Sequence, residues 1–214
     1  MKSDYFSDRS FMREVRELVR WSSDAGRVAF DRGRTALLVI DMQDYFLREE
    51  SHAFLPGAGH IVPRIASLVD AFYALELPVV FTRHLNTKSN AGALGLWWSD
   101  LIRPGSRMSR ITGSLDTSKG VVLEKSQYDA FHGTELSEIL TDGGIGRVVV
   151  TGVATHLCCE TTARCAFVRG FEVTFPVDGT ATYDSHHHLA SLLNLSHGFA
   201  TIVTVDGLLD TMRE

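Results

Sequence analysis

Three residues of this chain share one setting: each closes an apolar, strand-like run, and each has a side chain that can do chemistry. Asp41 follows ALLVI at 36–40, Lys125 follows VVLE at 121–124, and Cys158 follows the strand-and-glycine stretch VVVTGVATHL at 148–157. An acid closing a buried strand is seldom incidental, because an unpaired charge there is costly. Cysteine beside a base is the general arrangement for nucleophilic catalysis: sulfur attacks a carbonyl, and the carboxylate takes the thiol proton and later returns it to a leaving amine. An ammonium near both stabilises the carboxylate and the thiolate. Thr155 is placed to cap a helix after the glycine turn. That puts Cys158 in the first helical turn, where unpaired N–H groups and the helix dipole favour thiolate. Cys159 points about 100° away around such a helix, and Cys165 lies two turns on, so both read as packing.

For these three side chains to meet, their strands must end at one edge of a sheet. Strand-like runs occur at 36–40, 78–82, 120–124, 147–151, 172–176 and 201–205. Helical patterns fall between them, at 61–75, 134–140, 156–169 and 185–197; the first places Ile61, Ile65, Leu68, Val69 and Phe72 on one face. Strands separated by helices imply crossover units and a parallel sheet covered on both faces. The reading is an α/β fold, a three-layer Rossmann-like domain with a mainly parallel sheet of about six strands flanked by helices. Residues 34–214 form this domain. Residues 1–33 read as an N-terminal extension, with Phe11, Val15, Leu18 and Val19 recurring at helical spacing. Residues 86–119 break the alternation: the segment is rich in Gly, Ser, Asn and Arg around Trp97 and Trp98, and long loops of this kind often carry binding function.

A length of 214 residues favours one main domain with a sizeable core. A net charge of −5, from 21 basic and 26 acidic residues, argues against nucleic acid and anionic membrane as partners. There is no apolar run of membrane-span length, and the charged start MKSDYFSDRSFMREVRELVR lacks the apolar stretch of a signal peptide. Three cysteines crowded into positions 158–165 are not a disulfide framework, and a reduced, cytoplasmic setting fits best.

The segments LLVIDMQDYF at 37–46, PVVFTRH at 78–84, EKSQYDAFHGTEL at 124–136 and VVVTGVATHLCCETTARCAF at 148–167 resemble the isochorismatase-like cysteine hydrolase superfamily, which includes nicotinamidases and N-carbamoylsarcosine amidohydrolases. The resemblance covers about residues 35–207. It implies an Asp41–Lys125–Cys158 triad, a cis peptide bond before Ala154, and an oxyanion hole built from the backbone N–H groups of Ala154 and Cys158. The implied activity is hydrolysis of a small amide, carbamoyl or ureido substrate through a cysteine acyl-enzyme. Isochorismatase-type vinyl-ether hydrolysis and a non-catalytic binding or assembly role are the alternatives. Isochorismatases carry a small residue in place of the nucleophile, so Cys158 favours acyl chemistry. Two positions depart from the pattern: Asp44-Tyr45 follow Gln43 where Asn-Asp is common, and Gln127 stands where arginine often does.

Phe46 and Phe131, close behind the motifs, are expected to wall the pocket together with Trp97 and Trp98, because small-molecule pockets favour aromatics. Arg83 and His84 are the basic groups expected to approach it. Nicotinamidases hold a metal through Asp-x-His; here the corresponding stretch reads Thr82-Arg83-His84. His186, His187 and His188 are adjacent, so on a regular helix they face different directions and do not converge on one ion. No metal and no cofactor is therefore expected. The apolar stripe of the N-terminal helix, too short to stand alone in water, suggests a homo-oligomer, a dimer or tetramer.

Overall fold

The computed structural model describes residues 2–24 and 30–213, so positions 25–29 of the N-terminal extension lie outside the described residues. In chain order the helices are α1 (Arg9–Asp24), α2 (Asp44–Leu47), α3 (Ala58–Ala74), α4 (Leu94–Trp97), α5 (Leu136–Asp142), α6 (Glu160–Val168), α7 (Ser185–Gly198) and α8 (Val205–Arg213). The strands are β1 (Thr35–Ile40), β2 (Val79–His84), β3 (Val121–Lys125), β4 (Arg147–Val153), β5 (Glu172–Pro176), β6 (Thr180–Ala181) and β7 (Ala200–Val203). They form one seven-stranded sheet in the order β3-β2-β1-β4-β5-β7, with the short β6 paired to β4. Every pairing is parallel. The six long strands match the expected runs to within about two residues.

The central strands are buried on both faces, and their side chains alternate between two cores. Leu38, Ile40, Val148 and Val150 belong to one cluster, with α5, α6 and α7. Leu37, Val39 and Val149 belong to the other, with α3 and α8. This period of two is what makes TALLVI and RVVVTGV near-continuous apolar runs.

The N-terminal segment is not a detached appendage. Tyr5, Phe11 and Val15 are buried in the first core, and α1 packs on β7 and α7 of its own chain. The apolar stripe that suggested a second copy is thus largely spent inside the chain, and the argument for an oligomer from that stripe falls away. Among the described residues no helix is long and apolar enough to cross a membrane.

The strand order reverses direction between β1 and β4: from β1 the chain builds outward through β2 and β3, and from β4 outward through β5 and β7. A sheet of this kind opens a crevice at the carboxyl ends of its strands at that point. Gly152 tightens the seam. Its φ is +110°, and a β-carbon there would lie 2.0 Å from the Ile40 carbonyl oxygen, so only glycine lets β4 approach the end of β1 this closely. One residue beyond, Asp41 adopts φ +50°, a left-handed conformation uncommon outside glycine.

Candidate active site

At that crevice the ends of β1, β2, β3 and β4 bring together Asp41, Thr82, His84, Lys125 and Cys158. The Lys125 ammonium lies 2.8 Å from Asp41 Oδ2 and 3.4 Å from Cys158 Sγ. It also donates to the carbonyl oxygens of Gln127 at 2.8 Å and Tyr128 at 3.3 Å. Asp41 and Lys125 are buried, so their charges are kept by one another rather than by water. Burial works to raise the Asp41 carboxyl, yet the Lys125 ammonium, His84, and hydrogen bonds from Lys125 and Thr82 together hold it below the ordinary carboxylate range. Burial likewise works to lower Lys125, but Asp41 and Cys158 hold it above the usual lysine range. The pair is a carboxylate and an ammonium.

Thr82 and His84 entered from β2, the strand that the sheet order inserts between β1 and β3. The Thr82 hydroxyl donates to Asp41 Oδ1 at 2.6 Å and accepts the Asp41 backbone N–H at 3.0 Å. His84 Nε2 faces Asn86 Oδ1 at 2.6 Å, and Asn86 is itself oriented by donating to the Ser126 carbonyl at 2.9 Å. His84 therefore carries its proton on Nε2 and offers Nδ1 to Lys125, 3.3 Å away. Burial and the neighbouring ammonium keep its pKa low. Gln43, fully buried, holds this strand end in place. Its Oε1 accepts the His84 N–H at 2.8 Å, and its Nε2 donates to the carbonyls of His84 at 3.1 Å and Ser109 at 2.9 Å.

Cys158 departs from the expected setting in two ways. Thr155 does not cap a helix: its hydroxyl lies 3.1 Å from His188 Nδ1, and residues Thr155–Cys159 form a wide π-type turn before α6 begins at Glu160. Nor does the surrounding field simply favour thiolate. Burial pushes the thiol up strongly, Asp41 adds to the rise, and Lys125 pulls it down. The physical reason is that a short irregular turn supplies little dipole, and burial outweighs a single ammonium already paired with a carboxylate. The peptide bond between Val153 and Ala154 is cis. Cys159 is buried in the core beside Thr151, and Cys165 is partly exposed; neither faces the cavity.

Cys158 opens onto a cavity of about 590 Å³, counted to its open mouth. Its walls include Phe46, Trp98, Tyr128, Tyr183 and Leu157, with Tyr45, His52 and Asp100 among the polar groups. The indole of Trp98 donates to the Tyr128 hydroxyl at 2.7 Å, which fixes two of the walls against each other. Asp41, His84 and Cys158 offer donor atoms all within 4.8 Å of one another, the one such group of three among the described residues. The Lys125 ammonium stands among them, within 3.4 Å of an atom of each. Both His84 nitrogens are committed, to Asn86 and to Lys125. These residues fit a tethered ammonium rather than the metal held by an Asp-x-His pattern.

A profile of the isochorismatase domain matches residues 35–207. The chain belongs to the isochorismatase family. It is 42% identical over 179 residues to nicotinamidase 3 of Arabidopsis thaliana, covering 81% of this chain and 86% of that protein. It is 28% identical over 152 residues to N-carbamoylsarcosine amidase of an Arthrobacter species, covering 67% of this chain and 58% of that one. Among solved structures, a cysteine hydrolase of Pseudomonas syringae pv. phaseolicola superposes with a TM-score of 0.84 at 23% identity, covering 87% of this chain and 96% of that one.

In this isochorismatase-family chain, Phe46 and Trp98 line the cavity as expected from the sequence, and Trp97 and Phe131 do not. Trp97 ends the short α4 and is 78% exposed. Phe131 is buried behind the site, stacked on Phe171 at 5.9 Å beneath the Arg169 guanidinium. Arg83 also turns away, to pair with Glu124. The reason is strand alternation: Thr82 and His84 share the face that meets Asp41 and Lys125, and Arg83 takes the other. Tyr45, His52, Asp100, Tyr128 and Tyr183 went unread as a group because they come from segments far apart in the chain, helix α2 and several turns, that only the fold assembles. The dipeptide Asp44-Tyr45 was the available signal, since it sits where the family motif varies.

Proposed function

We propose that this chain hydrolyses a small amide, carbamoyl or ureido compound through a Cys158 acyl-enzyme. The observation that carries the reading is the buried chain of contacts Asp41–Lys125–Cys158, at 2.8 and 3.4 Å, at the floor of an aromatic cavity. Kinship with nicotinamidase 3 and N-carbamoylsarcosine amidase supports the class of bond, a C–N bond other than a peptide bond.

The thiol proton sets the first step. Asp41 takes the Sγ proton as sulfur attacks the substrate carbonyl carbon. The negative charge leaves the Asp41 carboxylate and arrives on the substrate carbonyl oxygen, so the site's net charge is unchanged and charge separation costs little. The backbone N–H groups of Ala154 and Cys158 receive the oxyanion. Protonated Asp41 gives its proton to the leaving nitrogen as the C–N bond breaks, leaving a thioester. Water, deprotonated by Asp41, attacks that thioester, and the acid leaves as Cys158 recovers its proton. The substrate is compact and planar, about the size of one ring, because the walls that face Cys158 are aromatic.

The test is ammonia release from a panel of small carboxamides and ureides. Turnover by the wild type and its loss in Cys158→Ala is the expected result. Undiminished turnover in purified Cys158→Ala would overturn the mechanism. Pyruvate release from isochorismate with no amide turned over would replace it with vinyl-ether hydrolysis.

A further inference from the structure

One buried histidine that this chemistry does not use ties the N-terminal segment to the turn bearing Cys158. His188, on α7, is completely buried. Its Nε2 lies 3.0 Å from the Val177 carbonyl oxygen. A carbonyl only accepts, so Nε2 carries the ring proton and Nδ1 keeps its lone pair. Two hydroxyls reach that lone pair, Tyr5 at 2.9 Å and Thr155 at 3.1 Å. The Tyr5 oxygen accepts the Thr182 backbone N–H at 2.9 Å, which leaves its own proton for His188. Burial pushes the imidazole down to about 3, so it stays neutral and Nδ1 stays an acceptor.

The segment that brings Tyr5 here is fastened on both sides. The Ser3 N–H donates to the carbonyl of Tyr183, a wall of the cavity, at 2.9 Å. Phe11 packs edge-on against both Tyr5 and His188. On the other side Thr155 follows Ala154 directly and opens the turn that ends in Cys158 and Cys159. A shift of Thr155 therefore moves both the nucleophile and the neighbouring backbone N–H.

We propose that His188 is a positioning residue: it holds Thr155, and through it the turn that aims Cys158, while Tyr5 of the N-terminal segment holds His188. The inference rests on Cys158 being the nucleophile. Two substitutions in the full-length chain separate the two ring nitrogens. His188→Asn places a carbonyl oxygen near the Nδ1 position and keeps an acceptor for Thr155. His188→Gln reaches Val177 with its amide and abandons Thr155.

Expected are a kcat within about threefold of wild type for His188→Asn and a loss of roughly tenfold or more for His188→Gln, with KM unchanged and the two Tm values similar, because small misplacements of a nucleophile cost rate rather than binding. Thr155→Val, which removes only the hydroxyl, should reproduce that loss, and the double variant should lose no more than either alone. Wild-type kcat in Thr155→Val, or losses that simply add, would overturn the proposal. So would kcat values that follow Tm across both His188 variants. Should His188→Gln fail to fold, Thr155→Val decides alone. Failure of the nucleophile assignment appears separately, as turnover surviving in Cys158→Ala.

Discussion

At the scale of single residues the site is a charge pair that burial makes interdependent. Lys125→Met should destabilise the fold by about 3–5 kcal/mol, because it strands a buried carboxylate without its partner. The double variant Asp41→Leu/Lys125→Met should recover much of that loss; denaturant unfolding of the three proteins decides it. The pair also sets a pH window. Asp41 is held below its ordinary pKa, so its contribution is present above the unfolded value and is lost as pH falls through the folded one. Lys125 is held above its ordinary pKa, so its contribution is present below the unfolded value and is lost as pH rises through the folded one. Stability from the pair should therefore be flat through neutrality in the wild type, as unfolding midpoints measured across pH would show. The raised thiol predicts a further result. Alkylation of Cys158 by iodoacetamide should keep rising with pH beyond the usual thiol range, and partly exposed Cys165 should be modified ahead of it at neutral pH, as peptide mapping would reveal. Cys159→Ala, in the core, should keep most activity.

At the scale of elements, function depends on how closely strand ends approach. Gly152→Ala forces a methyl group toward the Ile40 carbonyl at a positive φ, so it should push β1 and β4 apart, lower Tm and reduce kcat together. Gln43→Ala should cost about 1–3 kcal/mol, the usual toll for leaving a buried polar group unpaired, since His84 loses partners for both its N–H and its C=O. The elements themselves were legible in the chain. The runs ending at Asp41, Lys125 and Cys158 read as parallel strands because buried parallel strands leave continuous apolar stretches. What the sequence did not expose was lateral order. Nothing in PVVFTRH says that its strand lies between the other two, so Thr82, whose hydroxyl touches Asp41, passed unnoticed, and His84 was expected near the pocket but not against Lys125. The π-type turn escaped for a similar reason: THLCC has ordinary helical character, and nothing in it says that the Ala154 carbonyl accepts the N–H groups of both Leu157 and Cys159.

At the scale of the whole molecule, the N-terminal segment is part of the domain's own core. Phe11→Ala should cost about 3–5 kcal/mol, as other truncations of buried aromatic rings do, and should leave the mass seen by light scattering unchanged. A drop in mass would instead show α1 at an interface between copies. The sequence located α1 by its periodicity, but a stripe of four apolar residues says only that something covers it, not that the cover is β7 and α7 of the same chain. Chelator treatment followed by assay should leave activity in place; a loss restored by zinc, manganese or iron would show that the donor cluster takes a metal after all. The Lys125 ammonium has one more consequence. A metal ion exchanges with its surroundings, so an enzyme that borrows one is only as active as the supply allows. Here the cation is covalently part of the chain, delivered with every copy at synthesis and impossible to strip, swap or starve.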